Sequence, residues 1–96
     1  MTRIDLRTEA WLSDIGLYCG GNTYDPEKLR QVTAEKSEWS ERLKSNFEYV
    51  LNARQLSAQD YEEKVDIEFE SDDQFYGYLK RLYAYLFEGG PFPEWN

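Results

Sequence analysis

The stretch from Ser71 to Gly90, SDDQFYGYLKRLYAYLFEGG, constrains this chain most, because start signal, apolar face and stop signal come in the order a single helix needs. Ser71 offers a hydroxyl to the free amides of a first turn, with Gln74 as its partner in an S-x-x-Q box. Asp72 and Asp73 lie where the helix dipole is positive. Gly89 and Gly90 end the helix, and Pro91 forbids its continuation. Phe75, Leu79, Leu82 and Leu86 recur at spacings of four, three and four, so one face carries all of them. Tyr78 and Tyr85 flank this stripe on one side, and Tyr76, Tyr83 and Phe87 on the other. The apolar arc of roughly 200°, at ~100° per residue, is too wide for a surface helix. The helix is predicted to be gripped from several directions, by the rest of the chain or by a partner.

The segments around it are also mainly helical. Met1 to Arg7 alternates Ile4 and Leu6 with polar neighbours, the period of a short half-buried strand, and Thr8 offers a cap to the next element. Trp11, Ile15 and Tyr18, with Leu12 beside them, place a first helix over Glu9 to Cys19, stopped by Gly20-Gly21-Asn22. Asp25-Pro26 is an N-cap followed by a first-turn proline, so a second helix starts at Pro26. Residues 26–55 hold no interior Gly or Pro and read as one helix or two; weak helix formers favour a break near Thr33 to Ser37. The second part runs to about Arg54 on a row of Trp39, Leu43, Phe47 and Leu51. Leu56 before Ser57, and Tyr61 four residues after it, form a hydrophobic staple that opens a short helix. Val65, Ile67 and Phe69 then alternate with Asp66, Glu68 and Glu70. This segment either pairs with the Ile4 and Leu6 segment as a two-stranded β ribbon or lies over the helices as an extended connector. Phe92 and Trp95, in a proline-interrupted tail, fold back onto the bundle. The expected fold is a single domain over residues 1–96, mainly α: a small bundle of four to five helices, with the ribbon left open.

A chain of 96 residues can bury one core without staples, and its aromatics supply that core. With a single cysteine, Cys19, it has no internal disulfide and asks for no oxidising compartment. The N-terminus has no long apolar signal region, and no apolar run approaches the ~18 residues of a membrane span. The expectation is a soluble, cytoplasmic protein.

The net charge of -8 is unevenly placed: residues 1–55 hold eight basic and nine acidic groups, residues 56–96 three basic and ten acidic. Asp60, Glu62, Glu63, Asp66, Glu68, Glu70, Asp72 and Asp73 crowd one segment around the single Lys64. Such a field repels nucleic acid and anionic membrane and draws in basic surfaces. Solubility is the plainer explanation of the same charge.

Residue types limit the chemistry. The chain has no histidine, which removes Ser/His/Asp and Cys/His nucleophilic schemes, the usual neutral-pH base and histidine-bearing zinc sites. Cys19 has no activating neighbour and sits by a helix end rather than a helix start, which suits a small buried hydrophobe. Neither Gly-Gly pair fits a phosphate loop. No calcium-loop pattern occurs, and a straight row of carboxylates diverges where a cation needs convergence. A glycosidase-like carboxylate pair would need a pocket that a short chain has little room for. The edge tyrosines suit the rim of a core, or an interface, since stacking on single strands needs a basic groove.

The segment LSAQDYEEKVDIEFESDDQFYGYLKRLYAYLFEGG, with its Leu56-Ser57 helix start, Ile67 and Phe69 among acids, and closing Phe87-Glu88-Gly89, resembles the C-terminal part of small acidic bacterial immunity proteins. These protect a cell from its own contact-delivered or secreted toxins. The resemblance implies a non-enzymatic, tight toxin binder that covers the active site or a nearby exosite of a basic nuclease. No cofactor or metal is expected. The expected recognition face is Asp60, Glu63, Asp66, Glu68, Glu70, Asp72 and Asp73, with Tyr76 and Tyr83 as aromatic anchors at its edge. Two other readings stand beside it: a phage-encoded nucleic-acid mimic that inhibits a host nuclease, and an adaptor module whose charge serves solubility. The oligomeric state is left open.

Overall fold

Local capping signals set the helix bounds in the computed structural model of the chain, which describes residues 4–20 and 23–94. Helix α1, Leu6–Cys19, starts at Asp5, whose carboxylate accepts the Thr8 N–H at 2.9 Å. Helix α2, Pro26–Ala34, has Asp25 as cap, accepting from the Lys28 N–H at 3.1 Å, and Pro26 in its first turn. Helix α3, Glu38–Ala53, opens on a reciprocal box in which the Ser37 and Ser40 side chains each accept the other's amide. The break expected between residues 33 and 37 therefore exists, and Ser37 explains where the second helix begins. Helix α4, Ala58–Val65, uses the same device with Ser57 and Asp60. Helix α5, Asp72–Phe87, starts at Ser71, whose hydroxyl accepts the Gln74 N–H at 3.1 Å. Gln74 Oε1 accepts from Glu70 N–H at 2.6 Å, one residue before the box partner expected from sequence. At the other end, the Glu88 and Gly90 amides both donate to Ala84 O, and Gly89 takes φ 73°, a conformation that suits its missing side chain.

The chain's beginning differs from expectation. Residues 1–3 lie outside the described residues, but Leu6 is helical and 81% exposed, and the cap is Asp5 instead of Thr8. Two alternating apolar residues do not outweigh a carboxylate placed to accept a first-turn amide. No ribbon forms with this segment among the described residues. The stretch from Asp66 to Glu70 is the extended connector: Val65, Ile67 and Phe69 are buried, while Asp66, Glu68 and Glu70 are exposed. The β structure among the described residues is the two-residue strand Thr23–Tyr24 and an antiparallel bridge from Cys19 to Tyr24. Phe92 folds back edge-on to Tyr24 and Tyr85, at centroid distances of 6.1 and 5.6 Å. Trp95, with Gly21 and Asn22, falls outside the described residues.

Packing explains why α5 carries so wide an apolar arc. Phe75, Leu79 and Leu82 are fully buried and Leu86 nearly so, with α2 on one side and α3 on another. Tyr78 is also fully buried beneath the connector, its ring 5.2 Å from Phe69. Trp11 of α1 meets Phe47 of α3 edge-on at 5.2 Å, and Tyr61 of α4 stacks at a tilt on Phe75 at 4.8 Å. Aromatic pairs with this geometry contribute about 0.5–1.5 kcal/mol each beyond the area they bury. The five helices thus share one core cluster. No helix of the structure is long and apolar enough to cross a membrane, among the described residues.

Candidate functional site

The alternation from Val65 to Glu70 decides which acidic groups reach solvent. With Ile67 and Phe69 driven inward, the extended backbone turns Glu68 and Glu70 outward, while Asp66 is exposed at the end of α4, and Glu62 and Glu63 are exposed on the outer side of α4. Among the described residues, no ion pair or hydrogen bond engages the side chains of Glu62, Glu63, Asp66, Glu68 or Glu70. Asp66 has a backbone role as well, closing α4 in the left-handed region at φ 62°.

Three other members of the expected face are occupied. Asp60 is half-buried and its carboxylate accepts the Ser57 N–H at 3.2 Å. Asp72 accepts the Ala58 N–H at 2.8 Å, joining the starts of α4 and α5. Asp73 pairs with Arg54 at 3.5 Å across a solvent-exposed gap, where such pairs contribute at most about 1 kcal/mol.

The two tyrosines do not take the places expected of them. Tyr76 is 3% exposed, its hydroxyl donates to Leu56 O at 2.6 Å, and the Arg54 guanidinium covers its ring at 4.2 Å. A ring so enclosed offers nothing to a partner. Tyr83 is half-exposed, but it packs on Phe47 and Phe87 and donates to Glu48 Oε2 at 2.5 Å, so its neighbours belong to α3 and the end of α5. Tyr76 therefore lies near Asp60 and Asp72 but is enclosed, while Tyr83 lies among α3 and the end of α5.

A feature that sequence reasoning passed over lies on α1. Leu6, Ala10, Ser13 and Leu17 are all exposed, at spacings of four, three and four, so they form a second stripe opposite Trp11 and Ile15. Leu17 is 70% exposed and borders a groove of about 380 Å³ between α1 and α4, lined also by Ile4, Leu12, Gly16 and Lys64. The repeating interval is itself visible in the sequence. A larger groove of about 600 Å³ runs between α3 and the ends of α2 and α5, with Lys36, Lys44, Glu41 and Glu48 on its walls.

The chemistry of the remaining groups is subdued. Cys19 is fully buried, and burial first, with the charge of Asp25 second, pushes its thiol up to about 12. Burial also pushes the Tyr24 phenol to about 12 and those of Tyr61 and Tyr78 well above their ordinary range. Among the described residues, no three His, Cys, Asp or Glu side chains are grouped to hold a metal ion. No protein family, curated protein or solved structure was found to match the chain.

Proposed function

We propose that this chain is a non-enzymatic binding module of the cytoplasm that neutralises a basic partner protein, namely the nuclease toxin of the cell that makes it. One observation carries the reading: Glu62 and Glu63 on the outer side of α4, and Asp66, Glu68 and Glu70 on the connector that follows it, are exposed with no cation paired to them among the described residues, while Ile67 and Phe69 pin the connector to the core. Held this way, the carboxylates form a fixed field. Such a field accelerates encounter with a cationic surface, most strongly at low salt, and penalises anionic competitors. A nuclease surface, shaped to hold phosphates, is cationic by the same chemistry. The resemblance of residues 56–90 to bacterial immunity proteins agrees with this partner class.

The test is co-expression with the product of the adjacent reading frame, followed by purification and assay. The expected result is a stoichiometric complex with a protein of pI above about 9, whose nuclease activity is lost in the complex and regained on separation. A partner without a basic domain, or one whose activity is unchanged in the complex, overturns the proposal.

A further inference from the structure

Beyond α5 the backbone turns back along the helix it has just left. The Gly90 N–H donates to Ala84 O at 2.9 Å, and a Cβ on Gly90 would lie 3.0 Å from the Ala84 side chain, so the reversal is seated where a side chain has no room. Pro91 and Pro93 stiffen the return. The Arg81 guanidinium then donates to Glu94 O at 3.1 Å, fixing the segment against the middle of α5. This strap rests on Tyr24. Its hydroxyl donates to Pro93 O and shares a hydrogen bond of 3.1 Å with the Tyr78 hydroxyl, while Phe92 meets the Tyr24 and Tyr85 rings edge-on. Pro93 is buried and Phe92 is 45% exposed.

Beneath the strap lies the end of α1. Cys19 is fully buried and bridged to Tyr24. Burial first, and the charge of Cys19 after it, raises the phenols of Tyr24, Tyr61 and Tyr78, which places the thiol and the three hydroxyls in one cluster. Tyr61 and Tyr78 are fixed in α4 and α5. Tyr24 stands outside the helices on a two-residue strand, whose hold on α1 is the bridge to Cys19 and, next to it, the Asp25 N–H donating to Tyr18 O at 2.6 Å. Segments with few backbone bonds open before helices do. Tyr24 is thus the movable wall of the cluster, and the strap holds it shut.

We propose that residues 89–94 are a latch over this corner, and that its release, rather than unfolding of the bundle, brings the Cys19 thiol to solvent. The fold then has two working states, one latched with a silent thiol and one unlatched with its helices intact and the thiol reactive. Cys19 is the sole cysteine of the chain, so its labelling reports on the latch alone.

The experiment is labelling by dithiobisnitrobenzoate at pH 8, over urea concentrations below the unfolding transition. It compares the full chain with Phe92→Ala, Tyr24→Phe and Asp72→Ala, the last of which breaks the tie between the starts of α4 and α5. A local opening exposes little surface, so wild-type labelling is expected to be nearly independent of urea. Phe92→Ala and Tyr24→Phe each remove part of the latch, and both are expected to label about tenfold faster. Asp72→Ala weakens the whole fold and not the latch, and is expected to label as wild type does. Labelling that climbs with urea in step with global unfolding, and quickens as much in Asp72→Ala as in the strap variants, overturns the proposal. So does urea-independent labelling that neither Phe92→Ala nor Tyr24→Phe accelerates, because another segment is then the one that opens.

Discussion

The Asp72 carboxylate, on the first residue of α5, accepts the backbone N–H of Ala58, the first residue of α4, at 2.8 Å. Two helix starts are thereby tied through one side chain, and a residue of the acidic run is a strut. Asp72→Ala should destabilise the domain by about 1–2 kcal/mol, the usual effect of losing a charge-assisted bond to a helix-start amide. Glu68→Gln and Glu70→Gln should stay within ~0.5 kcal/mol. Urea midpoints for the three variants check the contrast; equal losses would show that Asp72 has no special role.

Leu82 is fully buried between α5's neighbours. Leu82→Ala should cost roughly 2–5 kcal/mol through lost transfer energy and the cavity left behind. That is a large fraction of what a domain this small commands. A measured loss below ~0.5 kcal/mol would remove the stripe from the core.

The bundle and its caps are largely legible in the sequence, because caps are local: Ser37, Ser57 and Ser71 each act on an amide three residues away. The side that each flank of α5 faces is not local. A wide arc of Tyr76, Tyr78, Tyr83 and Tyr85 does not reveal that Leu56 and Arg54 enclose Tyr76 while Tyr83 stays half-open, since α3 and the α3–α4 connection decide it. The start of α1 escapes the sequence pattern for a related reason. Ile4 and Leu6 are too few to establish a period, and the carboxylate of Asp5 overrides them. Among the acids, charge marks the segment, but only packing separates the occupied Asp60, Asp72 and Asp73 from the open Glu63, Asp66, Glu68 and Glu70.

Asp5 supplies a pH dependence. A hydrogen bond from the Tyr49 phenol, then one from the Thr8 amide, holds its carboxyl at about 2, below the ordinary value. A depressed folded-state pKa means that the unfolded chain binds the proton first. The contribution is therefore complete above the ordinary carboxyl pKa of about 3.9 and is lost as pH falls from there through about 2. Asp5→Asn keeps an N-cap while removing the titration. Stability should fall less steeply in this window for the variant than for wild type in urea melts at several pH values; parallel curves would contradict the assignment.

Cys19 is buried with its thiol pushed up to about 12. The folded protein should react with a thiol reagent at pH 8 at least about 100-fold more slowly than the urea-unfolded chain, since the thiolate is the reactive form. Cys19→Ala should bind the partner as wild type does. Fast labelling of the native protein, or loss of binding in the folded variant, would give this cysteine a role that the structure does not.

The proposed role of the connector carboxylates in partner binding is tested most directly by the association rate with the purified partner. Stopped-flow rates are to be measured from low to physiological salt for wild type, for Glu68→Lys with Glu70→Lys, and for the control pair Glu35→Lys with Glu41→Lys, all four positions being exposed. The connector reversal should slow association about tenfold or more at low salt and flatten its salt dependence, with the control changing much less. Rates that respond neither to salt nor to the connector charges would contradict the proposed role, leaving the acidic run as solvated surface.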